Sequence, residues 1–396
     1  MKMFTVIVLF GFLFGAMPVI HASESVVYIV SHYDKHEYYD QPCKTNEVFT
    51  ISTSGGSPVR AFSDAGRDFV LPCTHFYGTG PMAVNPKTHV LYVPVTLRSA
   101  IHEPMTTPHT TYNPSEDTYR NVVLEISLDG SGHYRKLIDY PKIAGVVNIF
   151  LNSVGDRIRI WDGEKFSSFD SKTGAHLSDL DLSGLSLFQK CEDCPVLNAG
   201  WLNRSQRLFL TLGDPSGEFY GDDPRQKFIG SWVMREDGSD LKRISPPLGR
   251  FEIPGPGPDV FNIVNEDYPT LLRENPDGDY VFFAEMSKVN LEQKPPVDFL
   301  VISNPKSNTN KIVSSNSWGT SIMGVSLSPA GDLIAYASHV VAAKVNYKDE
   351  LNPTADIYVK SLTDDSPRKL ASYVPDVSKP GGQTHLWVIG WAGGAS

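Results

Sequence analysis

A two-part unit recurs along this chain, and no other feature restricts the fold so strongly. Its first part is an apolar strand, a tight polar turn and a second apolar strand. Gly324-Val-Ser-Leu-Ser-Pro-Ala-Gly-Asp-Leu-Ile-Ala-Tyr-Ala-Ser338 shows it most clearly. Leu271-Leu-Arg-Glu-Asn-Pro-Asp-Gly-Asp-Tyr-Val-Phe-Phe283 repeats the form, with Pro276 in the place of Pro329. Copies with other turn residues begin at Ala199, Asn148 and Met82. The second part is a short strand, a Gly- or Asp-centred turn and a basic-apolar closing strand. It follows at Glu47 to Phe62, Val123 to Leu137, Trp232 to Ile244 and Asp356 to Leu370, with weaker copies at Phe166 to Leu180 and Phe299 to Val313. Asp-Gly and Gly-Gly pairs supply the positive φ that tight hairpins require.

Two successive hairpins make a four-stranded antiparallel sheet, the blade of a β-propeller. Aligned turns near residues 86, 154, 204, 276 and 329 give five full copies. The ends supply a sixth. Val26-Val-Tyr-Ile-Val-Ser31 reads as a second strand lacking its first, and His385-Leu-Trp-Val-Ile-Gly-Trp391 as a first strand lacking its second. Pairing the two would complete a blade and lock the ring. The expected fold is therefore an all-β, six-bladed propeller, with seven blades as the alternative count. Helical repeats do not fit, because the apolar runs are short, rich in Val, Ile, Phe and Tyr, and bounded by turns. A two-domain β-sandwich is the other all-β option. The chain has 396 residues, more than an ordinary domain of roughly 100–200, which suits one large closed β architecture.

Leu327-Ser-Pro-Ala-Gly331 and Glu274-Asn-Pro-Asp-Gly278 resemble the Ser-Pro-Asp-Gly-type turn of TolB-like six-bladed propellers. The earlier copies lack Pro or Gly at the expected places. The resemblance covers most of the chain and implies a fold. Members of the family range from binding scaffolds to protein-docking platforms and substrate gates of larger peptidases, so it implies no one activity.

Residues 1–23 read as a secretory signal peptide: Lys2, an apolar run from Met3 to Ile20, then Ala22-Ser23 before the first polar residues. An uncleaved anchor is the alternative, although Gly11, Gly15 and Pro18 weaken such a span. Residues 24–396 would then form a single propeller domain that is secreted or periplasmic and not inserted in a membrane. The formal net charge is -10 and Lys and Arg form no dense stripe, which argues against a nucleic-acid partner. In an exported chain the four cysteines, Cys43, Cys73, Cys191 and Cys194, suggest disulfides. Cys43–Cys73 with a local Cys191–Cys194 is the simplest of three pairings. Cys191-Glu-Asp-Cys194 also has redox-motif or half-zinc spacing, but no helix pattern or second Cys pair accompanies it.

Blade topology puts the long connections on one face: 32–46, 63–80, 97–120, 213–228, 246–268 and 338–354. Long loops are where function concentrates. Seven of the eleven histidines fall there: His32, His36, His75, His102, His109, His339 and His385. With nearby carboxylates, His32, His36, His75 and His385 could ligate a divalent metal. Such an ion would serve a lyase or hydrolase with Asp34 or Glu37 as base. Solvated loop residues explain the same pattern. Tyr33, Tyr38, Tyr39, His75 and Tyr77 could instead stack on a sugar or anchor a peptide. The leading expectation is a non-catalytic docking propeller for a protein, peptide or glycan; a metal-dependent enzyme and a purely structural subunit are the alternatives. No Gly-x-Ser-x-Gly elbow, His-Glu-x-x-His motif, phosphate loop or dinucleotide fingerprint is present.

Overall fold

The structure is a computed structural model of the chain. It describes residues 24–33, 45–72, 82–98, 119–140, 148–163, 165–183, 185, 187, 194, 196–213, 224–244, 270–286, 297–304, 309–315, 320–340, 355–363, 366–373 and 383–393. The expected signal peptide, residues 1–23, lies outside them, and so do most of the long connections.

Among the described residues the strands form six four-stranded antiparallel sheets. Sheet I joins β1 (Ser25–Tyr33), β2 (Thr45–Ser52) and β3 (Val59–Ser63) to the last strand of the chain, β24 (Gln383–Ala392). Sheet II holds β4 (Ala83–Asn85), β5 (Val90–Arg98), β6 (Tyr119–Ser127) and β7 (Tyr134–Tyr140). In sheet III are β8 (Asn148–Leu151), β9 (Arg157–Trp161), β10 (Lys165–Asp170) and β11 (His176–Asp181). Sheet IV comprises β12 (Val196–Leu202), β13 (Arg207–Leu212), β14 (Gly230–Met234) and β15 (Lys242–Arg243). Sheet V follows with β16 (Thr270–Glu274), β17 (Tyr280–Met286), β18 (Val297–Asn304) and β19 (Thr309–Ser315). Sheet VI has β20 (Thr320–Leu327), β21 (Leu333–Val340), β22 (Ala355–Ser361) and β23 (Arg368–Tyr373).

Burial follows strand position. Val26 to Ser31 of β1 are all buried, because the second strand of a sheet is covered on both faces. An outermost strand such as β11 is exposed along nearly its whole length. Apolar seams fill the space between successive sheets. One cluster spans sheets VI, I and II, and others join II to III, III to IV, IV to V and V to VI.

The turns between first and second strands share one edge and a common chemistry. Asn85 Oδ1 accepts the Lys87 amide at 3.1 Å, and Asn152 Oδ1 accepts the Gly155 amide at 3.0 Å. Asn275 Oδ1 takes the Asp279 amide at 2.8 Å, and Ser328 Oγ takes those of Gly331, Asp332 and Leu333. A small side chain thus satisfies turn donors that solvent would otherwise have to reach. Each turn also needs a residue in the left-handed region. Gly155, Gly278 and Gly331 supply it with φ of 78°, 85° and 79°, while His89 and Gln206 adopt φ of 54° and 53° where glycine is missing. The departures from the Pro/Gly pattern seen in the sequence therefore leave the geometry intact.

Neighbouring turns also grip one another. Asn85 Nδ2 donates to Gly155 O at 3.0 Å, and Ser153 Oγ donates to Gln206 Oε1 at 3.1 Å. The Arg204 and Ser205 amides donate to Glu274 Oε2 at 3.1 and 3.0 Å. Trp391 Nε1 donates to Ser326 O at 3.1 Å, and the Gly393 amide to Pro86 O at 2.9 Å. The protein is a β-propeller.

Gly331 sits where sheets V and VI meet, and a Cβ there would lie 2.8 Å from Glu274 O. Gly331→Ala should therefore cost about 1–3 kcal/mol from backbone strain. The exposed neighbour Ala330→Gly should change stability by under about 1 kcal/mol. Urea unfolding of the two variants checks both.

Candidate functional site

The topology divides the connections cleanly. Links from second to third strand, and from one sheet to the next, share the edge opposite the turns just described. Among the former are 34–44, 99–118 and 341–354, and among the latter 64–82 and 374–382. The described strand ends frame this face.

Polar pairs stand at those ends where apolar runs stop. Ser31 Oγ donates to Asn46 Oδ1 at 2.6 Å, both residues fully buried. Thr211 and Ser231 hydroxyls bond at 2.8 Å in the same place in sheet IV. Asn148 Nδ2 donates to Asn198 Oδ1 at 3.1 Å, linking the first strands of sheets III and IV. Tyr140 donates its hydroxyl to Asp162 Oδ2 at 2.8 Å. Burial, and then the Asp162 carboxylate, push that phenol well above its ordinary range, so it stays a donor.

One network extends from the frame into a connection. The Asp64 carboxylate accepts the Asn46 amide at 2.7 Å, Asn46 Nδ2 at 3.0 Å and the Leu71 amide at 2.9 Å. Asn46 Nδ2 also reaches Leu71 O at 3.0 Å. Asp64 is 4% exposed, so its charge is held by these donors rather than by water. The network ties residues 64–72, which lead to Cys73, His75 and Tyr77, onto β2. Phe69 of this segment stacks 6.3 Å from Phe62 of β3, and Arg67 lies 5.6 Å over the Phe62 ring. Sequence reading missed Asp64 and Asn46. Ser63-Asp-Ala-Gly66 looks like an ordinary polar turn, and burial of its carboxylate depends on residues close only in space.

His36, Tyr38, Tyr39, His75 and Tyr77 lie outside the described residues, as do Cys43, Cys73 and Cys191. Tyr33 ends β1. His32 is on β1, where Nε2 meets Glu47 Oε2 at 3.3 Å; Glu47 Oε1 also accepts Arg60 Nη1 at 2.9 Å. His385 is on β24, directly opposite Ser31. Because side chains alternate, His32 and His385 project from opposite faces of sheet I, so the structure does not bring these two of the four metal-candidate histidines together. No group of three or more His, Cys, Asp or Glu side chains suited to a metal ion occurs among the described residues. Cys194 is buried and disulfide-bonded. No helix among the described residues is long and apolar enough to cross a membrane.

No protein-family model matches the sequence, and no curated protein matches it. Solved structures do. A puromycin-hydrolysing peptidase of Mycobacterium tuberculosis is similar at 11% identity and a TM-score of 0.44, over 86% of this chain and 47% of that one. The chain thus spans about half the length of that peptidase. A periplasmic gluconolactonase of Pseudomonas aeruginosa is similar at 10% identity and a TM-score of 0.43, over 92% and 99% of the two chains. A putative TolB from Agrobacterium tumefaciens gives 10% and 0.40, over 93% and 99%. Likeness of this order carries no activity over to this chain.

Removing the Asp64 carboxylate strands the Asn46 and Leu71 amides and leaves Asn46 Nδ2 only Leu71 O. Asp64→Ala is expected to cost about 3 kcal/mol. His32→Ala removes only a partly exposed contact and should cost under about 1 kcal/mol. Chemical denaturation of the two variants side by side checks the contrast.

Proposed function

We propose that the six sheets are blades of one closed, TolB-like ring and that its loop-bearing face captures a peptide, protein or glycan without catalysis. The observation that supports this best is the division between the two edges. One edge is used up by turns bonded to each other, whereas the other carries the long connections on a frame of buried polar pairs. Rigid strand ends presenting long segments are the arrangement in which binding residues are commonly displayed. Tyr33, Tyr38, Tyr39, His75 and Tyr77 would supply contact area at low entropic cost. The tether at Asp64 holds the stem of the segment that bears two of them.

The rest of the reading follows from the cysteines and the leader. Residues 1–23 would direct export and be removed, leaving residues 24–396 as one domain outside the cytoplasm or in a periplasm. A Cys43–Cys73 bond would join the first two long connections, and Cys191 would partner Cys194. No nucleic acid or bilayer is involved.

The test uses the mature protein against a displayed peptide library and a glycan array. Replacing Tyr38, Tyr39 and Tyr77 together by Ala should weaken the selected ligand at least about tenfold, a loss of about 1.4 kcal/mol or more. Val154→Thr, at the opposite edge and 58% exposed, should leave binding unchanged. Equal binding by the triple variant would remove this face from the reading.

A further inference from the structure

Arg159 is a full-length cation inside the protein, 2% exposed. It lies on β9 between Phe150 of β8 and Ser168 of β10 and projects into the seam between sheets III and IV. Its guanidinium stands over Trp201 of β12, 5.6 Å from the ring centroid. Nη2 bonds Oε1 of Glu236, which belongs to the Arg235–Ser239 turn between β14 and β15. Arg157, on the same face of β9, brings Nη1 to within 3.0 Å of that same oxygen. Two guanidinium groups therefore converge on one carboxylate oxygen.

Three features distinguish this cluster from an ordinary structural ion pair. Its charges do not balance: of the other carboxylates in this turn region, Asp237 accepts the Ser239 amide and hydroxyl at 2.9 and 2.6 Å, and Asp240 is held by Arg207 at 2.5 Å and Lys242 at 2.9 Å. Its donors are unspent, since Arg159 Nε and Trp201 Nε1 are buried with no hydrogen-bond partner among the described residues. Buried donors without partners are rare in native proteins and call for an explanation. The seam is also open at one end, because Glu236 is 48% exposed and Arg157 46%. Burial lowers the proton affinity of Arg159, Glu236 opposes that effect, and Arg157 adds to it. The site is thus short of negative charge at its buried end.

We propose that Arg157 and Arg159 form a recognition site for a phosphate group, with Glu236 occupying it in the ligand's absence. A dianionic phosphate balances both guanidinium groups where one carboxylate balances a single charge. It also offers more acceptor oxygens to the same fork-shaped donors. Glu236 can leave by rotating its side chain into solvent, with no change to the turn that carries it. The site lies at the short-turn edge, remote in topology from the loop-bearing face, and does not depend on the function proposed above. Free phosphate and a phosphate monoester share this chemistry.

The experiment is calorimetric titration of the full-length mature protein at constant ionic strength, with inorganic phosphate and O-phosphoserine as probes and chloride as control. Replacing Arg159 would put the core at risk, so the variants are Glu236→Gln and Glu236→Gln/Arg157→Gln, each checked for native circular dichroism. Glu236→Gln should bind one phosphate per chain at least tenfold more tightly than the unaltered protein, and the double variant should lose at least tenfold of that affinity. Binding of O-phosphoserine as well would identify the ligand as a phosphate carried on a larger molecule, and binding of inorganic phosphate alone would identify the free ion. A Glu236→Gln protein that responds to phosphate no more than to chloride overturns the proposal. Undiminished affinity in the double variant overturns it too.

Discussion

The short-turn edge is where each sheet learns the position of the next. A turn there must satisfy its own amides within four or five residues, and it does so with one small side chain, Asn or Ser, folded back on the backbone. That leaves carbonyls and second donors facing outward, and the adjoining turn uses them. The Gly155 carbonyl takes Asn85, the Glu274 carboxylate takes Arg204 and Ser205, and the Pro86 carbonyl takes Gly393. Hydrogen bonds are directional whereas apolar seams are not. The seams hold the sheets together, and the turn contacts set the angle between them.

The opposite edge obeys a different rule. Apart from the short β9–β10 link, where Asp162 Oδ1 takes the Lys165 amide at 2.9 Å, its connections are too long for a side chain to close, so strand ends carry the polar load. Ser31 with Asn46, Thr211 with Ser231 and Tyr140 with Asp162 each stop an apolar strand pair with a hydrogen bond rather than an exposed end. Asp64 adds a charge to one of these caps and draws the following segment down with it. A buried carboxylate with three amide donors restricts the chain more firmly than apolar contact of equal size, because its donors admit few alternative positions.

Much of this order was legible in the sequence, and what was legible was local. A turn such as Ser328-Pro-Ala-Gly-Asp332 contains its own acceptor, its own positive-φ residue and its own flanking strands, so a five-residue window specifies it. The pairing of β1 with β24 was legible for a related reason, since each terminal run lacked the half that the other supplied. Burial of Arg159 was not. Arg157-Ile-Arg-Ile-Trp161 alternates as a half-exposed strand would, and only the neighbouring sheet, with Trp201 and Glu236, shows that Arg159 is covered as fully as the isoleucines of the other face. The same limit applied to His32 and His385. Blade topology put both at the loop-bearing edge, but a strand reverses side-chain direction at every residue, so being on adjacent strands did not make them neighbours.

The pairing of the first described strand with the last also imposes a schedule. Ser25 pairs with Ala392, so β1 is made before every other described strand and β24 after them all. Until β24 arrives, β1 has one bare edge and the turn at Pro86 lacks the Gly393 amide. Such a strand can pair with any extended segment that reaches it first, including that of another chain. Closure across nearly the full length of the polypeptide is slow, since chain entropy must be surrendered before the contact forms. A molecule built this way is most vulnerable between the synthesis of β1 and the seating of one ten-residue strand, β24.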